Sequence, residues 1–167
     1  MNKTLVFGWY EQYKTGIYRY ALSILKDPHG AEDVLQETFL RLLSGKYAVR
    51  EEKIQPWLYR VARNCCYDIL RKRGREQEIP PELPSHEGKY AYIERIAVLD
   101  LTDREIVTLK VLGGMTCREI GKILGLTGPA VQKRYERSMK KLREQEEDYG
   151  NQTESRTGSS AHSQNDF

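Results

Sequence analysis

Apolar residues recur along this chain at spacings of three and four, the period of helices that each bury one face. Tyr10, Tyr13, Ile17, Ala21 and Ile24 make such a stripe and predict a long first helix. Asp27-Pro28-His29-Gly30 interrupts it. Val34, Leu35, Phe39 and Leu42 then predict a second helix over about 31–43, with Ser44-Gly45 as its stop signal. Pro56 suits a helix start, and Leu58, Val61, Cys65 and Ile69 carry the buried stripe of a third helix to about residue 73. No strand-like alternation of useful length appears.

Composition then shifts. Pro80, Pro81, Pro84 and Gly88 stand among Glu76, Glu78, Glu82 and Glu87, which predicts an extended tether over 76–91. Helical periodicity resumes with Ile93, Ile96, Ala97 and Leu99. In Leu101-Thr102-Asp103 the expected cap of the next helix is Thr102, with Glu105 completing a capping box, and Gly113-Gly114 ends that helix. Thr116 caps a short helix over 117–124, with Ile120 and Ile123 or Leu124 inward. Gly125 turns the chain, Leu126 enters the core, and Thr127 caps a helix whose stripe is Val131, Tyr135, Met139 and Leu142. Two short helices around a glycine turn, followed by a basic helix, describe a helix-turn-helix. The polar run from Gly150 onward predicts disorder. The expected fold is all-α: two small helical domains (1–75 and 92–147), a flexible Pro/Glu-rich linker (76–91) and a disordered tail (148–167), the second domain holding the helix-turn-helix.

Charge sharpens the picture. Glu144, Glu146, Glu147, Asp148, Glu154 and Asp166 face only Arg156 beyond Arg143. Removing that −5 from the formal +3 of the 167-residue chain leaves the body at +8, which suits an anionic partner. At this length two domains bury only about 60% of their unfolded surface, so a partner that binds both adds stability. No apolar run approaches a bilayer span, and residues 1–9 lack the pattern of a signal peptide, so a cytoplasmic protein is expected. Cys65, Cys66 and Cys117 have no metal-ligand spacing and read as small apolar helix residues. His29, His86 and His162 are scattered, and no phosphate-binding glycine loop is present. The expectation is therefore no cofactor, no metal and no enzymatic site.

Outward positions carry the candidate chemistry. On the last helix these are Gln132, Lys133, Glu136, Arg137 and Lys140. Gln132 can pair with adenine, and Arg137 or Lys133 with guanine or phosphate. Lys110, Arg118, Arg134, Lys140 and Lys141 suit phosphates, and Thr127 can cap the helix and face a phosphate as well. On the third helix Arg60, Arg63, Asn64, Tyr67 and Arg71 lie opposite the buried stripe, mixing cations with an amide and a ring as single-strand binding requires. On the second, Asp33, Gln36, Glu37, Leu40 and Arg41 present both charge signs around an exposed leucine, which suits a protein partner. Trp57 is read as a core anchor.

Four segments resemble, in order and spacing, those of the extracytoplasmic-function (ECF) sigma factors. Pro56-Trp57-Leu58-Tyr59-Arg60-Val61-Ala62-Arg63-Asn64 with Asp68-Ile69-Leu70-Arg71 is similar to their promoter-melting segment. Gly30 through Arg41 is similar to their polymerase-docking helix, and Leu101-Thr102-Asp103-Arg104-Glu105 and Gly114 through Gly121 to their fourth conserved region. The resemblance covers about 18–143. It implies a sigma factor whose partners are core RNA polymerase (through the clamp helices of its largest subunit) and promoter DNA, duplex and melted, and it admits an anti-sigma factor. It places minus-ten recognition on the third helix, minus-thirty-five recognition on the helix-turn-helix, and the protein on the nucleoid when bound to polymerase. Where the family has Gly-Thr before the recognition-helix valine and a basic residue after it, this chain has Pro129-Ala130 and Gln132. That loses a hydroxyl and a backbone donor from the DNA side. The competing reading is a helix-turn-helix regulator of duplex DNA whose N-terminal half only dimerises it.

Overall fold

The computed structural model describes residues 2–76, 88 and 90–158, with side chains to residue 152. Its elements are α1 (Lys3–Leu25), α2 (Pro28–Leu43), a 3₁₀ turn (Glu51–Lys53), α3 (Ile54–Glu76), α4 (Ala91–Ile96), α5 (Leu101–Val111), α6 (Cys117–Leu124) and α7 (Gly128–Gly158). No strand occurs among the described residues, and the all-α expectation holds.

The stripes read from the sequence turn inward, buried or half-buried, except at Ala97, which is exposed. Ile17, Ala21 and Ile24 of α1 meet Val34, Phe39 and Leu42 of α2, and Tyr10 meets the Phe39 ring edge-on at 5.1 Å. Helix ends depart from expectation in instructive ways. The second helix starts at Pro28 rather than 31, because the Asp27 carboxylate accepts from the His29 amide at 3.1 Å and proline needs no partner at the first position. The α5 cap is Asp100, not Thr102: its side chain accepts from the Asp103 amide at 2.8 Å. Helix α7 runs to Gly158, well into the stretch expected to be disordered. After Pro129 nothing breaks it, since a single interior glycine costs only about 1 kcal/mol. The expected linker falls mostly on 77–87 and 89, outside the described residues.

The two helical halves do not stand apart. Tyr20 of α1 and Tyr59 of α3, fully buried with rings edge-on at 5.5 Å, belong to one continuous apolar cluster with Ile106 and Leu109 of α5, Met115, Ile120 and Val131. A smaller cluster, Ile96, Leu99 and Val107 with Met139 and Leu142, seats α4 and α5 on α7. Asp27 also pairs with Arg73 at 2.5 Å, fastening the α1–α2 corner to the far end of α3.

Candidate polymerase and nucleic-acid interfaces

Helix α2 buries Ala31, Val34, Thr38, Phe39 and Leu42 and turns Asp33, Gln36, Glu37 and Leu40 to solvent. Arg41 lies half-buried beside them, and its Nε donates to Glu37 Oε1 at 2.7 Å, which raises the guanidinium pKa. All five predicted docking residues line one shallow groove, together with Cys65, Asp68 and Ile69 of α3. Sequence reasoning missed the α3 wall because it assigned Cys65 and Ile69 wholly to the core. Burial pushes the Cys65 thiol up, and the buried Cys66 thiol as well, so both stay protonated and behave as the small apolar residues expected.

The predicted strand-reading face of α3 divides. Arg60, Asn64 and Arg71 are exposed, with Arg71 paired to Asp68. Arg63 and Tyr67 are instead half-buried, because α5 covers that side. Arg63 Nε donates to Glu105 Oε1 at 2.8 Å and Tyr67 Oη to Glu105 Oε2 at 2.9 Å, while the Arg63 guanidinium lies 4.4 Å from the Tyr67 ring centre. Tyr20 Oη also donates to Glu105 Oε1, at 2.8 Å. Glu105 is therefore no capping-box partner for Thr102; it is fully buried and spent on α1 and α3. Burial first, then the Glu105 charge, pushes the Tyr67 hydroxyl up to about 12. Trp57 is only half-buried. It lies beside Tyr47 (centroids 5.6 Å, planes 54° apart) and helps line a groove with Arg50, Lys53, Arg60 and Lys122 of α6. The signal for that groove, Arg50 and Lys53 before Pro56 and Trp57 after it, was in the sequence but had no helical period to reveal it.

The helix-turn-helix forms as its turn chemistry dictates. Glu119 N donates to Thr116 Oγ1 at 3.2 Å while Thr116 N donates to Glu119 Oε2 at 2.9 Å, a full capping box. Gly125 closes α6 at φ 72°, a left-handed conformation that favours glycine. Leu126 N then donates to Gly121 O at 2.9 Å, so close that a Cβ on Gly121 would collide with the Leu126 carbonyl. Thr127 Oγ1 accepts from Ala130 N at 3.3 Å, as predicted for the α7 cap. Val131 is fully buried, which leaves Gln132, Lys133, Glu136, Arg137 and Lys140 exposed, with Arg118 and Thr127 near the turn. Gln132 is oriented: its amide nitrogen donates to Glu136 Oε1 at 2.7 Å, and Cys117 Sγ donates to its oxygen at 2.9 Å. Lys110 is half-buried and sits 6.0 Å from the Tyr135 ring centre.

Two expected phosphate contacts are committed elsewhere. Arg134 pairs with Asp103 at 2.7 Å and Asp100 at 3.3 Å, which holds α5 against α7. Lys141 donates to the Val98 carbonyl at 3.1 Å. A run of bases looks uniform in sequence, yet two of its members face acids or carbonyls across a helix pair.

Known proteins correspond to both halves. A model of sigma-70 region 2 matches residues 9–76, and one of sigma-70 region 4 matches residues 90–142. The chain is 33% identical over 131 residues to the ECF RNA polymerase sigma factor SigM of Bacillus subtilis, covering 71% of this chain and 80% of that protein. It is 29% identical over 157 residues to SigW of the same organism, covering 80% and 84%. Two solved structures share the fold. One is the sigma factor RpoE in complex with the anti-sigma factor NepR from Bartonella quintana (TM-score 0.66, 21% identity, 82% of this chain and 95% of that one). The other is CnrH in complex with the cytosolic domain of CnrY (TM-score 0.66, 22% identity, 87% and 90%). The region 2 match gives the N-terminal half a family of its own and removes the support for a mere dimerisation domain. With both regions matched in order, the chain belongs to the ECF RNA polymerase sigma factors.

Proposed function

We propose that this alternative sigma factor divides its work between its two halves, one docking and melting, the other reading duplex DNA. It binds core RNA polymerase and directs it to particular promoters, and sigma factors do this as non-enzymatic regulators. In this reading residues 1–75 form region 2, 76–91 the linker, 92–147 region 4 and 148–167 the tail. Asp33, Gln36, Glu37, Leu40 and Arg41 dock on polymerase. Arg60, Arg63, Asn64, Tyr67 and Arg71 grip the opened minus-ten strand, since an amide and a ring hold an unstacked base better than a paired one. Gln132, Lys133, Glu136 and Arg137 face the minus-thirty-five duplex, with Lys110, Arg118, Thr127 and Lys140 positioning against its phosphates. The chain contributes binding and no chemical step, acts in the cytoplasm on the nucleoid, and has an anti-sigma factor as a further partner. No described helix is long and apolar enough to cross a membrane.

The observation that carries this reading is the mixed-sign α2 groove beside a basic, aromatic α3 face, in one chain with a helix-turn-helix whose base-reading side chains are exposed to solvent. Run-off transcription with core polymerase on genomic fragments, followed by start-site mapping, should yield discrete starts sharing two upstream elements. Changing Asp33, Gln36 and Arg41 together to alanine should abolish pull-down of core polymerase while the helical circular dichroism persists. Unchanged pull-down overturns the docking assignment. Asn64→Ala should impair permanganate-detected opening and leave upstream preference alone; altered upstream preference would mean the halves are assigned in reverse.

A further inference from the structure

We infer that Cys117 is a positioning residue for promoter reading: with Glu136 it fixes the Gln132 carboxamide in the one order that accepts adenine and rejects guanine. The inference rests on the reading of α7 as the minus-thirty-five duplex reader and deepens it. Cys117 opens α6, and Gln132 follows it by 15 residues, in the second turn of α7. Cys117 Sγ donates to Gln132 Oε1 at 2.9 Å, and Gln132 Nε2 donates to Glu136 Oε1 at 2.7 Å. The carboxylate can only accept, so it selects the nitrogen end of the amide and leaves the oxygen end to the thiol.

The frame around this chain of bonds is stiff. The Thr116–Glu119 capping box holds the start of α6 and with it the backbone of Cys117. Leu126 N donates to Gly121 O at 2.9 Å, and the approach of the two segments at Gly121 sets how α6 meets α7. Gln132 and Glu136 are one helical turn apart on the outward side of α7, both exposed, while Cys117 is half-buried beneath them. The clasp therefore joins the two helices of the motif at the surface that faces duplex DNA.

A carboxamide has two N–H donors and two acceptor lone pairs. Glu136 takes one donor and Cys117 one lone pair, which leaves one of each for a base edge. In the major groove adenine presents the N7 acceptor beside the N6 amino donor, whereas guanine presents two acceptors, N7 and O6. A carboxamide of fixed order satisfies both adenine groups. Against guanine its oxygen faces O6, and two acceptors meet with no proton between them. An amide able to turn escapes that clash by swinging its nitrogen toward O6. Without its clasp, then, Gln132 reads either purine. The rejection of guanine comes from Cys117 and Glu136, which need touch no base to supply it.

The test uses holoenzyme and promoter duplexes taken from the mapped starts, with each minus-thirty-five base pair changed in turn and closed-complex binding read by fluorescence anisotropy. Wild type should favour adenine over guanine at one position by about tenfold. Cys117→Ala should lower that ratio about threefold, the weight of one neutral hydrogen bond, through tighter binding to the guanine duplex. Cys117→Ser keeps a donor and should restore most of the ratio. A damaged helix-turn-helix would instead weaken every duplex alike, and serine would not rescue it. Glu136→Ala removes the other end of the clasp and should lower the ratio too; it carries the test if Cys117→Ala loses its helical dichroism. A wild-type ratio in the folded variants overturns the positioning role, and a wild type that favours guanine overturns the adenine assignment. Gln132→Ala separates the two layers: if it leaves every base preference unchanged, the reading of Gln132 as a base contact falls, and the inference with it.

Discussion

Helices α3 and α7 both carry basic faces with polar base-reading candidates, but they present them differently. The α7 face stands in solvent with Gln132 oriented by Cys117 and Glu136, whereas the α3 face has Arg63 and Tyr67 drawn under Glu105. The contrast matches two binding problems. A duplex reader gains from a rigid, preformed helix surface that fits the groove. A strand reader built of cations and rings binds a flexible anionic chain by stacking and charge, which side chains can meet by adjusting as the strand seats. Similar residue types are thus presented with different degrees of exposure.

The comparison can be broken hardest at Tyr20, which supports both halves at once. Tyr20→Ala removes a fully buried ring and one Glu105 partner, and should cost about 3–5 kcal/mol in urea denaturation followed by circular dichroism. Both halves should lose cooperativity together; a C-terminal half that melts unchanged would contradict the shared core. Asp27→Ala acts on one half only. It removes the α2 cap and strands Arg73, for about 3 kcal/mol in the same assay, and should leave duplex binding by α7 intact.

Arg137→Ala is expected to lower closed-complex affinity by about 1–3 kcal/mol and relax preference only upstream, scored by a base-by-base promoter scan. The smallest effect concerns alkali. Tyr67 is held protonated when folded, its hydroxyl pushed from 10.0 up to about 12. The contact therefore keeps its full stability below about pH 10 and loses it as pH rises toward about 12, because the unfolded chain ionises first. Tyr20 and Tyr59 are raised as well, so Tyr67→Phe should make the alkaline loss of compactness shallower without removing it. An identical pH profile for the two proteins would show that the Tyr67–Glu105 hydrogen bond contributes nothing to alkaline stability.

Much of this was legible in the residues. Helical stripes, the α2 groove's outer wall, the Thr116 and Thr127 caps and the outward side of α7 all follow from local period and cap chemistry, which need only neighbours within a turn or two. Legibility failed where two readings were locally equivalent or where the partner was remote. Asp100 and Thr102 could each cap α5, and only the backbone angle at Asp100 decides between them. Asp27-Pro28 looked like a break although aspartate followed by proline also begins a helix. Nothing near Glu105 announces Tyr20, Arg63 or Tyr67, and the pairing of Arg134 with Asp100 and Asp103 is likewise a tertiary fact.

The distance between Tyr20 and its partner has a consequence during synthesis. Glu105 follows Tyr20 by 85 residues. At about 5–20 residues per second the ribosome leaves the α5-facing side of α1 uncovered for about 4–17 s. Through that interval Tyr20 lacks its Glu105 partner and its α5 cover, on a nascent chain crowded among others. Production of this protein should therefore depend on chaperone supply and on translation speed across the first hundred codons, and slower codons there should raise the fraction lost to aggregation.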